Sequence, residues 1–145
     1  MQIIEVKNQL VSTIALIDDE NKILIGKRPM GKAFENLWEF PGGKVKKNET
    51  VEQALIRETK EEINIDLSKN CIAPLVFSTY ENENVNIIIF LFISRKWNLE
   101  PICKFHTELR WVKANKLNDY NMPPANKFLV TSLQDLLLQI IFPCS

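Results

Sequence analysis

The chain is short of features that several protein classes need. Neither charge prevails: 18 basic and 18 acidic side chains cancel, which argues against a protein that coats DNA or RNA, since such surfaces carry a basic excess. A single phosphate chain held at one local site remains compatible with that balance. The three cysteines, Cys71, Cys103 and Cys144, are odd in number and share no metal-ligand spacing. A disulfide framework is therefore not expected, and a reducing compartment fits better. The longest apolar run, Ile87 to Ile93, is too short to cross a bilayer. Met1 to Val6 contains Glu5 and lacks the basic-then-apolar pattern of a secretory signal. A cytoplasmic protein is expected, with no membrane partner, and the Asn48-Glu49-Thr50 sequon is taken as a chance match. The only histidine, His106, has no ligand partners near it in sequence and reads as a loop residue. Repeats, linkers and low-complexity segments are also missing. One domain over residues 1–145 is the expectation, since 46% hydrophobic and 25% charged residues suffice for one core at this length.

Periodicity and turn residues supply the elements. Leu10 to Ile17 and Lys22 to Gly26 read as strands joined at Asp18-Asp19-Glu20-Asn21, which suggests a hairpin. Pro29 to Asn36 reads as a loop and Leu37 to Phe40 as a short strand ending at a Pro41-Gly42-Gly43 turn. Thr50 to Ile63 reads as a helix with Val51, Leu55, Ile56 and Ile63 as its buried stripe, and Asn64 can stop it. Strands follow at Ile72–Thr79, Val85–Lys96 and Leu109–Val112, with a Glu81–Asn84 turn between the first two. A last helix starts at Pro123-Pro124 and runs to about Ile141, with Phe128, Leu129, Leu133, Leu136, Leu137, Ile140 and Ile141 at helical spacing. The order implies an α/β protein with a mixed sheet between helices.

Three glutamates in the first helix oppose its stability. At about 100° per residue, Glu61 and Glu62 flank the azimuth of Glu58, so the three carboxylates share one stripe. Like charges three and four residues apart repel by a few tenths of a kcal/mol per pair. At the helix C-terminus the dipole disfavours anions by roughly 0.3–1 kcal/mol. Arg57 lies four residues before Glu61 and can relieve part of this. A hard divalent cation would reverse the sign, because Mg²⁺ prefers oxygen ligands and is commonly shared with substrate phosphates. A solvated acidic face is the alternative.

The context narrows the choice. Gly43 is followed after five residues by Glu49, and after seven more by Arg57-Glu58-Thr59-Lys60-Glu61-Glu62-Ile63-Asn64-Ile65. This resembles the Nudix box, G-x5-E-x7-R-E-U-x-E-E-x-G-U with U bulky and apolar. Thr59 replaces the first apolar residue and Asn64 the second glycine, and Asn can adopt the same left-handed backbone at some cost. Resemblance to Nudix hydrolases of the MutT type implies an α/β/α sandwich and a divalent metal, Mg²⁺ with Mn²⁺ as an alternative. It implies metal ligation by Glu58, Glu61, Glu62 and the carbonyl of Gly42. Glu58 would also orient or deprotonate the attacking water, and Arg57 would hold the glutamates by pairing with Glu49. For Arg57 and Glu49, bracing alone is the alternative to a catalytic part. Glu108, before Leu109-Arg110-Trp111-Val112, is a further candidate ligand, with an ordinary surface glutamate as the alternative.

Two segments outside the box extend the resemblance. Leu37-Trp38-Glu39-Phe40-Pro41-Gly42-Gly43-Lys44 resembles the MutT-type approach to the box, and Met122-Pro123-Pro124-Ala125-Asn126 the segment opening the last helix. The resemblance gives Asn126 the edge of an oxidised guanine. An amide has both donors and an acceptor for that task. Phe40 would contact the base and Arg28 would line the same pocket. Asn126 serving only the helix start, and Phe40 being ordinary core, are the alternatives. The implied activity is pyrophosphohydrolysis of a nucleoside triphosphate, 8-oxo-dGTP first, in nucleotide-pool sanitation and mutation avoidance. CTP or dCTP, another purine triphosphate, a capped RNA end, ADP-ribose, or a non-catalytic binding module remain as other readings. No stable nucleic-acid complex is expected, and the chain is expected as a monomer, with a dimer as the alternative.

Overall fold

A computed structural model describes residues 5–138. Among these residues seven strands fall into two sheets. β1 (Lys7–Leu16), β4 (Gly42–Lys44), β5 (Ala73–Asn82) and β6 (Val85–Ser94) form a mixed sheet in the order β4-β1-β6-β5, with β1 and β6 parallel. β2 (Lys22–Lys27), β3 (Trp38–Glu39) and β7 (Glu108–Lys113) form an antiparallel sheet in the order β3-β2-β7. Helix α1 spans Val51–Ile63 and α2 spans Asn126–Leu138. The architecture is the expected mixed α/β fold with helices, with the strands divided between two sheets. Among the described residues no helix is long and apolar enough to cross a membrane.

The expected β1–β2 hairpin is present only at its tip. Asp18 Oδ1 accepts from the N–H groups of Glu20 and Lys22, at 2.9 and 2.8 Å, and Ile17 bridges Ile23. Beyond that bridge the strands part into different sheets, because both faces of each carry apolar side chains that need separate cover. Ile14 and Leu16 face a cluster with Leu24, Leu55 and Ile63, whereas Ala15 and Ile17 join Ile23 and Ile25 against α2. The expected Pro41-Gly42-Gly43 turn is likewise corrected. Gly42 and Gly43 are strand residues paired antiparallel with Thr13 and Ser12. Between β5 and β6 the turn tightens to Glu83-Asn84, both at positive φ of 46° and 66°, the conformation that matches strand twist in two-residue hairpins.

Helix α1 is bounded by local chemistry. Thr50 caps it, its side chain accepting from Gln53 N while Gln53 accepts from Thr50 N, so two otherwise unpaired donors are satisfied. Asn64 ends it in the left-handed conformation, φ 62°, with its N–H donating to Lys60 O at 3.1 Å. Leu55 and Ile63 are fully buried, each worth about 1.5–3 kcal/mol over exposure, and Val51 and Ile56 pack beside them. The last helix begins at Asn126, with Pro123 and Pro124 forming its opening turn rather than its first residues. Leu129, Leu133 and Leu137 are buried, but Phe128 is 58% exposed and belongs to the outer face. Ile140, Ile141 and Cys144 lie outside the described residues.

Candidate active site

The carboxylates gather where β4 crosses the C-terminal half of α1. Gly42 has φ +151°, and a Cβ there would lie 2.0 Å from Ser12 O, so only glycine lets β4 approach β1 this closely. Its N–H donates to Glu62 Oε1 at 3.1 Å. At Gly43 a Cβ would sit 2.4 Å from the carboxyl carbon of Glu58. The two glycines therefore form a floor on which Glu58 and Glu62 rest. Glu61 leans outward, with 57% of its side chain exposed. The three glutamates thus do not share one solvated stripe, since Glu62 is buried.

Arg57 organises the outer part of this cluster. Its Nε and Nη2 donate to the two oxygens of Glu49 at 2.7 and 2.8 Å, and Nη2 also reaches Lys44 O at 3.2 Å. Its Nη1 donates to Glu58 at 2.8 Å and Glu61 at 3.3 Å. The Arg57 hydrogen bonds, helped by the Lys46 N–H, hold the Glu49 carboxyl down at about 2. Glu62 goes the other way. Burial pushes its carboxyl up to about 8, the carboxylates of Glu39 and Glu58 add to the effect, and the Gly42 N–H and Arg28 oppose it. A buried carboxylate with that displacement has too little positive charge around it.

Glu62 has two further neighbours. Ligand atoms of Glu39, Glu62 and His106 lie within 4.8 Å of one another. The two carboxylates of this group suit a hard divalent cation, and Glu62 is shared with the ligand set that the Nudix resemblance implies, Glu58, Glu61, Glu62 and the Gly42 carbonyl. Glu108 lies on β7 opposite Lys27, pairs with Arg110, and is 41% exposed. Strand alternation sets this position, because Glu108 shares its face with Arg110, whose guanidinium lies over the rings of Trp38 and Tyr120 at 5.2 and 5.7 Å.

A cavity of about 600 Å³ opens beside Gly42 and Gly43 and brings Arg28, Phe40 and Asn126 together. Phe40 is both core and lining, being 2% exposed and packed into the larger apolar cluster. Asn126 is 7% exposed. Its backbone N–H closes the turn onto Pro123 O at 2.9 Å, so that closure does not require its side chain. Arg28 donates to Glu39 at 3.0 Å and to Ala33 O at 2.6 Å.

Glu39 and His106 are the site residues that the sequence did not disclose. His106 does lie in a loop, but it is a buried residue rather than a surface one. Its side chain is fully buried and bonded to Glu39 at 2.9 Å. The available signal was Gly26, a glycine inside a strand pattern, which marks close approach by another group. Tyr80, Ile87 and Ile89 also line the cavity, and only the β5–β6 pairing with β1 brings them there.

Residues 7–133 match the NUDIX domain family, and the chain belongs to that family. It is a hydrolase of phosphoanhydride bonds, of the MutT type. The 8-oxo-dGTP diphosphatase of Escherichia coli strain K12 is 32% identical over 124 residues, covering 82% of this chain and 91% of its own. The CTP pyrophosphohydrolase of the same strain is 42% identical over 117 residues, covering 77% and 82%. The fold is similar to that of a MutT structure described for Aliivibrio salmonicida and Vibrio cholerae, with a TM-score of 0.75 and 27% identity over 90% of this chain and 99% of that one. Nudix hydrolases use a divalent metal.

Proposed function

We propose that the chain hydrolyses 8-oxo-dGTP to 8-oxo-dGMP and pyrophosphate with Mg²⁺, and so cleans the cytoplasmic nucleotide pool. The observation that carries this reading is the shared cavity. Its lining runs from the Gly42-Gly43 floor of the carboxylates to a buried amide, Asn126, past the apolar face of Phe40. That layout suits a ligand with phosphates at one end and a hydrogen-bonding base at the other. Apolar packing discriminates poorly between guanine and its oxidised form, whereas a buried polar contact discriminates strongly.

A bound divalent cation would neutralise phosphate charge and lower the pKa of the attacking water. Within the chain, Glu58 would orient or deprotonate that water. Arg57, braced by Glu49, keeps the Glu58 carboxylate directed over Gly43. Arg28, held by Glu39, offers a cation to the nucleotide. Glu108, paired with Arg110 through one oxygen, is a further candidate ligand.

The 42% identity to a CTP pyrophosphohydrolase favours one second reading, hydrolysis of CTP. A screen of nucleotides with Mg²⁺, following pyrophosphate release, separates the two. The proposal expects the highest kcat/KM for 8-oxo-dGTP, and a loss of at least about 100-fold in Glu58→Gln, the usual contribution of a catalytic acid or base. Preference for CTP would replace the substrate assignment. Unchanged turnover in Glu58→Gln would remove the role given to Glu58.

A further inference from the structure

His106 and Glu39 are 67 residues apart in sequence and meet beside Glu62, where the proposed chemistry assigns neither of them a task with the cation. The contact is built with some care. The imidazole packs against Gly26, where an added Cβ would come within 2.5 Å of two ring carbons. Phe105 meets the ring edge-on at 4.9 Å, and the loop is tied down by Cys103 Sγ to His106 O and by Thr107 N to Lys27 O, at 2.7 and 3.0 Å. The ring is thereby fixed, and its Nε2 lies 2.9 Å from Glu39 Oε2.

The protonation pattern follows from burial. His106 Nδ1 is buried with no hydrogen-bond partner. A buried donor left unpaired is costly, so the proton belongs on Nε2, where Glu39 accepts it. Both ring nitrogens are then unavailable to a cation, one donating to Glu39 and the other enclosed. The second oxygen of Glu39 accepts from Arg28 at 3.0 Å. With one donor on each oxygen, Glu39 has a set orientation, and its remaining lone pairs lie within reach of the Glu62 carboxylate group.

We propose that His106 is a positioning residue that orients Glu39 as an additional acidic wall of the cation site. The inference rests on the cation reading above, but its test needs no nucleotide. Hydrogen bonds from outer groups to ligating carboxylates typically change metal affinity 10–100-fold when removed.

Mn²⁺ titration of the full chain, followed by the electron paramagnetic resonance signal of the free ion, measures that affinity. His106→Gln and His106→Asn put similar amides at the same place, but only Gln reaches as far as Nε2. The Gln variant is expected within about threefold of wild type and the Asn variant weaker by about tenfold or more. Glu39→Gln should weaken binding similarly, and the double variant Glu39→Gln with His106→Asn should lose no more than either alone, since the two residues act as one unit. Should the Asn variant fold poorly by circular dichroism, Gly26→Ala displaces the ring from its other side and is expected to show the same loss. Wild-type affinity in a folded Asn variant overturns the proposal. So does nitrogen coupling to bound Mn²⁺ in the wild-type spectrum, which would make His106 a ligand. Nucleotide turnover alongside an indifferent Asn variant would sink this inference alone. His106-dependent Mn²⁺ binding without turnover would sink the substrate reading alone.

Discussion

Gly43 and Glu58 are in contact across the β4–α1 junction, with the glycine Cα facing the glutamate carboxyl and no room for a methyl group between them. The relationship ties the first residue of the sequence motif to the group proposed to handle the attacking water. Gly43→Ala should therefore push Glu58 aside while leaving most of the fold intact, because Gly43 sits on the short edge strand β4. A fall in kcat of about 100-fold is expected, comparable to loss of a general base, with far-UV circular dichroism unchanged. A variant with wild-type kcat would show that Glu58 does not need its present position.

Arg57 makes five hydrogen bonds to four groups, two of them to Glu49. A lysine keeps the charge but not the planar fork, so Arg57→Lys cannot satisfy Glu49 and Glu58 together. A fall in kcat/KM of about tenfold or more is expected, from the catalytic loss when supporting groups around a metal site are removed. Glu49→Gln should do less, since the amide oxygen still accepts one bond. Steady-state kinetics on both variants check the order. If Glu49→Gln is the more damaging, Glu49 has a part beyond bracing Arg57.

Local signals account for what the sequence disclosed. The Thr50–Gln53 capping box, the apolar stripe around Leu55 and Ile63, and Asn64 at φ 62° all lie within one helix. The Glu49–Arg57 pair was implied by the resemblance to the Nudix box, and the two side chains meet at 2.7 Å. The residues that escaped depend on non-local pairing. Nothing near His106 announces Glu39, because the β2–β3 pairing of Gly26 with Glu39 and the anchoring of Thr107 on Lys27 bring them together. Gly42 and Gly43 read as a turn by composition, and β1 makes them a strand. The parting of β1 and β2 into two sheets was hidden for a similar reason: continuous apolar runs do not say which faces will be covered together.

Burial of the Glu62 carboxyl should give stability a pH dependence whose sign follows from the direction of its shift. Its ordinary value of 4.5 is raised to about 8, chiefly by burial. The folded chain thus binds this proton more tightly than the unfolded chain. That contribution is fully present below about pH 4.5 and is lost as pH rises through about 8. Glu49, held down at about 2, acts oppositely: its contribution is present above 4.5 and fades as pH falls through about 2. In chelator-treated protein, Glu62→Gln should therefore gain on the wild type as pH rises from 5 to 8 across that window, reaching a Tm advantage of about 3–6 °C for roughly 1–2 kcal/mol. Mg²⁺ should shrink or reverse that advantage by stabilising the wild-type carboxylate. A Tm difference that is flat with pH would mean that Glu62 titrates alike in both states.

Asn126 provides the most direct test of substrate choice. It is 7% exposed, lines the cavity with Phe40 and Arg28, and closes its own helix turn through the backbone. If its amide reads the edge of an oxidised guanine, Asn126→Ala should reduce kcat/KM for 8-oxo-dGTP relative to dGTP by about 10–100-fold, the effect of one buried polar contact to the base. Hydrolysis of CTP should change much less, because a pyrimidine lacks the oxidised purine edge assigned to Asn126. Helix α2 keeps its apolar face, Leu129, Leu133 and Leu137, so the variant should remain folded. The ratio of the two purine specificities, measured on one preparation, cancels differences in active fraction. An equal fall for every nucleotide would reduce Asn126 to a structural part of the pocket wall, and would move the discrimination to Arg28 or to the β5–β6 side of the cavity.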